Sequence, residues 1–118
     1  MADQSKPYEL QVLEILLAPG YSRSKLLGLV EDAENPQAEY TNYGFYISIE
    51  NSAIGPERRV YSNPALIGRW DDKDAGFVVI LEDNHLTLEI PPWDGESLPA
   101  TFRVGDIQII GAAARNRA

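Results

Sequence analysis

From Phe45 onward the apolar residues of this chain recur at every second position. In YGFYISIEN, Phe45, Ile47 and Ile49 alternate with Tyr46, Ser48 and Glu50. In HLTLEI, Leu86, Leu88 and Ile90 alternate with His85, Thr87 and Glu89. A period of two gathers side chains on one face only when the backbone is extended. The second half of the chain must therefore bury its apolar residues as a sheet.

The first half has a different period. In SKPYELQVLEILLAPG, Leu10, Leu13, Leu16 and Leu17 recur at helical spacing. Ser5 can cap such a helix, and Pro7 suits a first turn where a missing N–H costs nothing. Pro19-Gly20 stops it. A second, shorter helix follows in YSRSKLLGLVEDAENPQ, capped by Ser22 or Ser24, with Leu26, Leu27 and Val30 on its apolar side. Gly28 weakens that helix by about 1 kcal/mol relative to alanine. Asn35-Pro36 is expected to end the segment.

The stretch GFVVILEDNHLTLEI carries the chain's strongest hairpin signal. Two apolar runs flank Asp83-Asn84, a pair that tolerates the positive φ angles of a two-residue hairpin turn. RRVYSNPALIGRW supplies one bent strand or two short ones around Asn63-Pro64, and FRVGDIQII a fifth strand with Val104, Ile107 and Ile109. Pro91-Pro92 closes the last long strand, and WDGESLP is a loop with a turn at Asp94-Gly95. The links are too short for parallel crossovers. Helices first and strands after predict an α+β fold, with two N-terminal helices packed on one face of a four- to five-stranded antiparallel sheet. Phe45, Ile47, Ile49, Leu86, Leu88 and Ile90 should face the helices, contributing roughly 10–15 kcal/mol before entropy is subtracted. A chain of 118 residues is expected to be one domain, with 1–6 and 111–118 as disordered tails.

Eighteen acidic residues against ten basic give a net charge of −8. Nucleic acid needs a positive surface, so it is not an expected partner. Arg115 and Arg117 sit in a tail too short to serve as a nucleic-acid arm. No apolar run is long enough for a membrane span, and the start lacks a signal-peptide pattern. With no cysteine in the chain, disulfides and thiolate metal sites are excluded. A cytoplasmic, bacterial-type protein fits these features.

LLAPGYSRSKLLGLVEDA, an aromatic-rich strand and DDKDAGFVVILEDNHLTLEI together resemble a widespread set of small uncharacterised bacterial proteins, over about residues 10–95. The likeness rests on Leu16, Leu17, Pro19, Tyr21, Leu26, Leu27, Asp74, Gly76, Leu86, Leu88, Glu89 and Ile90. Gly20-Tyr21-Ser22 departs from the commoner aromatic-proline-glycine order. The resemblance implies a compatible fold and no activity. Some small acidic bacterial proteins of this general look are immunity partners of secreted toxins, a likeness of size and charge alone.

Little in the chain reads as catalytic chemistry. His85 is the only histidine. Glu89 lies on the same strand face about 13 Å away at ~3.3 Å per residue, so a dyad needs a carboxylate from a neighbouring strand, Glu50 or Glu82. A strand histidine beside a turn accounts for it more simply. Asp72, Asp74 and Gly76 begin like an oxygen-rich calcium loop, but the sixth place from Asp72 is Phe77 where glycine is required. A solvated turn between strands explains WDDKDAG. No phosphate loop, nucleophile elbow or transition-metal set is present, and no cofactor or metal is expected.

The aromatics crowd differently. Tyr40, Tyr43, Phe45 and Tyr46 share one segment, and Trp70 and Trp93 each stand beside an acidic residue. Aromatic rings among carboxylates suit a protein contact, although many such rings finish a core. The reading is a non-enzymatic interaction protein, of toxin-immunity type, that binds a basic protein or a second copy of itself. The expected contact residues are Tyr46, Trp70, Asp71, Asp72, Asp74, Val78, Ile80, His85 and Trp93. The alternative is a small-ligand binder or modest hydrolase with a pocket near His85 and Glu89.

Overall fold

The computed structural model describes residues 6–18, 20–93 and 95–111. Helix α1 spans Pro7–Leu17 and α2 spans Arg23–Glu31. The expected cap Ser5 lies outside the described residues; the start of α1 is closed by the carboxylate of Glu9, which accepts the Lys6 N–H at 2.8 Å. At α2 the hydroxyl oxygen of Ser22 accepts the Lys25 N–H at 3.2 Å. The buried stripe of α1 is Tyr8, Val12, Leu13, Leu16 and Leu17, with Leu10 only half-buried. That of α2 is Leu26 and Leu29, leaving Leu27 and Val30 partly covered.

The strands are β1 (Glu34–Tyr40), β2 (Phe45–Glu50), β3 (Arg59–Tyr61), β4 (Leu66–Trp70), β5 (Lys73–Ala75), β6 (Val78–Glu82), β7 (His85–Ile90) and β8 (Gln108–Gly111). Every ladder among them is antiparallel, so the α+β architecture with leading helices holds. The strands divide between two sheets, ordered β1-β2-β7-β6-β3 and β5-β4-β8. The chain passes between the sheets three times, after β3, β5 and β7, and the first passage contains the cis peptide bond Asn63-Pro64.

At the β6–β7 hairpin Glu82 pairs with His85. Asp83 and Asn84 have φ of 52° and 64°, the left-handed values a two-residue turn of this kind requires. The register then sets the faces. Phe45 opposes Ile90, Ile47 opposes Leu88 and Ile49 opposes Leu86, and all six are buried with Val79 and Leu81 of β6. They join the apolar residues of both helices in one core.

Three segments depart from the sequence reading. Asn35-Pro36 does not lie in a loop; it sits inside β1, where a bulge between Glu34 and Gln37 absorbs it. An edge strand tolerates a residue with no N–H, and Asn35 takes φ 50° there. Val104 is not a strand residue. Phe102–Val104 form a turn of 3₁₀ helix that drives Phe102 into the core and leaves Val104 exposed, and β8 begins only at Gln108. Of the expected tails, Lys6 and Gly111 are structured: Lys6 closes α1, and Gly111 pairs with Leu66. Residues 1–5 and 112–118 lie outside the described residues, as do Pro19 and Asp94. No helix among the described residues is long and apolar enough to cross a membrane.

Candidate functional site

The face of the five-stranded sheet turned away from the core is built by the same alternation. Cross-strand pairs put Glu39, Tyr46, Glu89 and Val78 in one row. Gln37, Ser48, Thr87, Ile80 and Val60 form the next, and Glu50, His85 and Glu82 the third. None of these residues is buried, whereas every inward residue of β2, β6 and β7 is. Tyr46 is 44% exposed and Val60 52%. Val60, Val78 and Ile80 make an apolar patch at the β3–β6 side. Glu82 and Glu89 border it on β6 and β7, and Glu50 and Glu39 stand further across the face on β2 and β1. Arg58 answers one of them, Glu82, at 2.9 Å.

His85 sits at the turn end of this face. Its Nδ1 lies 2.8 Å from the carbonyl oxygen of Asp83. A carbonyl can only accept, so Nδ1 carries the hydrogen and the ring is fixed by its own turn. Nε2 faces Glu50 Oε1 at 3.5 Å, across the strand pair, beyond good hydrogen-bond length. That oxygen already accepts from Asn35 Nδ2 at 2.9 Å. The carboxylate neighbour is thus the cross-strand Glu50, and both groups are well exposed. Glu89 lies four residues further along β7, and the small cleft beside it does not include His85. The two do not share a pocket.

The Trp70–Asp74 segment is a tight hairpin rather than an open loop. Asp71 and Asp72 form its two-residue turn, with φ of 51° and 61°, and are exposed. Trp70 turns inward: it packs edge-on against Phe102, ring centres 6.2 Å apart, with Gly105 beneath it. Asp74 is 3% exposed and takes the Arg69 guanidinium at 2.8 and 3.1 Å. Asp74 therefore drops out of the expected contact set, and Trp70 offers a partner little. Trp93 is partly exposed but lays its ring against Gly76. Only Tyr46, Val78, Ile80 and His85 of the expected residues share the open face.

The sequence reading missed a buried polar cluster. Glu9 on α1 is 1% exposed and Arg103 of the 3₁₀ turn 7%. Arg103 donates to Glu9 through Nε at 2.7 Å and Nη2 at 3.2 Å. The Tyr8 hydroxyl reaches the Arg103 carbonyl oxygen at 3.0 Å and Glu9 Oε2 at 3.3 Å. Burial, then the Glu9 charge, pushes the Tyr8 hydroxyl far above the usual tyrosine range, against the opposing pull of Arg103. A cleft of about 330 Å³ opens beside it, lined by Lys6, Tyr8, Gln11, Arg103 and Asp106 among others. Glu9 points its oxygens at Arg103, Tyr8 and the Lys6 N–H, not into the cleft. The cluster pins the end of the chain to its first helix. Its only trace in the sequence is an acidic residue next to the apolar stripe of α1.

Among the described residues no three His, Cys, Asp or Glu side chains stand close enough to hold a metal ion. Comparison of the chain with family models, with curated proteins and with solved structures finds no match.

Proposed function

We propose that this chain is a non-enzymatic binding protein whose open sheet face docks a basic protein in the cytoplasm. The observation that carries the reading is the face itself: Val60 and Tyr46 are exposed, Ile80 and Val78 half-buried, and four glutamates share the face with Arg58. An apolar centre with a charged rim is the anatomy of a protein contact. The sign of the rim selects a partner with lysine and arginine around an apolar ridge. A second copy is disfavoured, because two such faces would set carboxylate against carboxylate. A toxin neutralised in an immunity-type complex is one partner of this chemistry.

The magnitude bounds the affinity. Five strands at ~4.8 Å and six residues at ~3.3 Å give a face on the order of 24 by 20 Å, roughly 500 Å². Standard interfaces take about 800 Å² per partner. Docking through this face alone would fall at the small, transient end of specific interfaces and be sensitive to salt.

The test is capture from the source cell by the immobilised chain, then calorimetry with the purified captured protein. Ile80→Arg and Val60→Arg, both on the solvent side of the sheet, should abolish binding while circular dichroism stays unchanged. His85→Ala should matter little. Equal capture by the arginine variants, or no retained protein at any salt concentration, refutes the proposal.

A further inference from the structure

The open face ends in a small cleft of about 60 Å³ between β2 and β7, lined by Tyr43, Gly44, Tyr46, Glu89 and Pro91 among others. We propose that this cleft receives one arginine side chain of the protein partner; the inference rests on the docking role given above. Tyr43 is 51% exposed and Tyr46 nearly as open. Glu89 between them and Val78 is half-buried, and among the described residues its carboxylate has no hydrogen bond or ion pair. Glu39 faces Tyr46 from the other side, across β1. Single exposed aromatics are ordinary on a protein surface. Two tyrosines and a half-buried, unpaired carboxylate lining one cleft are not.

Size and sign decide the ligand. Small-molecule pockets run from about 300 to 1,000 Å³, so this cleft holds a side-chain head and not a metabolite. Glu89 and Glu39 repel an anion. A guanidinium can lie flat on a tyrosine ring while its fork gives two N–H groups to one carboxylate, which a lysine ammonium cannot do.

The test uses the full 118-residue chain, ¹⁵N-labelled, titrated at low salt with the peptide acetyl-Gly-Arg-Gly-amide. Saturable amide shifts confined to residues 41–46 and 89–91 are expected, with millimolar affinity. The citrulline peptide, of the same shape without the charge, should bind about tenfold more weakly or less. Glu89→Gln and Tyr46→Ala should each weaken the arginine peptide by about fivefold. Glu14→Gln, on α1 away from the open face, should leave it unchanged. Shifts spread over the whole acidic surface, equal binding of the citrulline or lysine peptide, or indifference to Glu89→Gln overturns the inference. If the peptide fails while Ile80→Arg still abolishes capture of the partner, the cleft is wrong and the docking face stands. If both fail, the docking role falls with it.

Discussion

Replacing Arg103 with methionine should be among the most damaging single changes this chain can suffer. The guanidinium is buried, and its two hydrogen bonds to Glu9 join positions 94 residues apart. Methionine fills much of the same space but leaves the Glu9 carboxylate inside the protein with only the Lys6 N–H and Tyr8 for company. Breaking a buried pair from one side costs about 3–5 kcal/mol. A chain this size has a total stability of only about 5–15 kcal/mol. At about 0.25 kcal/mol/K of unfolding entropy, the loss lowers Tm by roughly 12–20 °C. Glu9→Leu takes the carboxylate away from the buried guanidinium and should also destabilise the fold. The double variant removes both charges; the Tyr8 hydroxyl keeps the main-chain carbonyl of residue 103, and the remaining loss includes the unanswered Lys6 N–H, about 1–3 kcal/mol. Urea unfolding of the four proteins closes a double-mutant cycle, with a coupling of at least about 2 kcal/mol expected. Single variants that each cost under about 1 kcal/mol, or costs that simply add, would show that the pair is a surface-like contact and the pinning argument false.

Alkaline pH should expose Tyr8. Its folded form holds the proton far above the usual range, so stability is full below about pH 10 and falls above it by up to ~1.4 kcal/mol per pH unit, as the unfolded chain ionises first; urea titrations from pH 9 to 11.5 should show a shallower fall in Tyr8→Phe. Gly105→Ala drives a methyl to 2.5 Å from the Trp70 ring, which Phe102 prevents from retreating, at a cost of about 1–3 kcal/mol in Tm or urea midpoint. Asn84→Ala keeps a positive φ without the side chain that accepts the Gly55 N–H at 3.0 Å; the strain and the lost bond together should cost about 1–3 kcal/mol, while Asp83→Gly should be tolerated.

The parts of the fold legible in the sequence are those where one local rule acts alone. The alternation in 45–50 and 85–90 assigns each side chain to a face, and the Asp83-Asn84 turn joins β6 to β7 in the register that alternation requires. β1 was hidden because ENPQAEY has neither alternation nor an apolar run. Its pairing comes from β2, and its proline is tolerated because, among the described residues, no strand pairs on the outer side. The split into two sheets was hidden for a related reason: Leu66 and Ile67 of β4 are as apolar as the strands of the large sheet, and their pairing with β5 and β8 is set by contacts far apart in the chain. Of the candidate site, Tyr46, Val78, Ile80 and His85 followed from the period of two. Asp74 looked like a surface acid because sequence does not reveal that Arg69 crosses a hairpin to cover it. Glu9 was invisible as a core residue because its partner lies at the other end of the chain.

The placement of the edges bears on how a partner would be recognised. Strand addition needs a long, regular, unpaired edge. β1 offers a bulge and Pro36, and β3 is three residues long with the Asn63-Pro64 bond close behind it. The small sheet ends in β5 and β8, of three and four residues. Each described edge is short or interrupted, which disfavours main-chain recognition, so the docking partner proposed above would be read by side chains on the open face. Recognition by glutamates around an apolar patch works at a distance, because the field of the rim reaches about 10 Å at 0.1 M salt. Salt should then slow association far more than it hastens dissociation. A partner whose on-rate ignored ionic strength would be engaging some other surface.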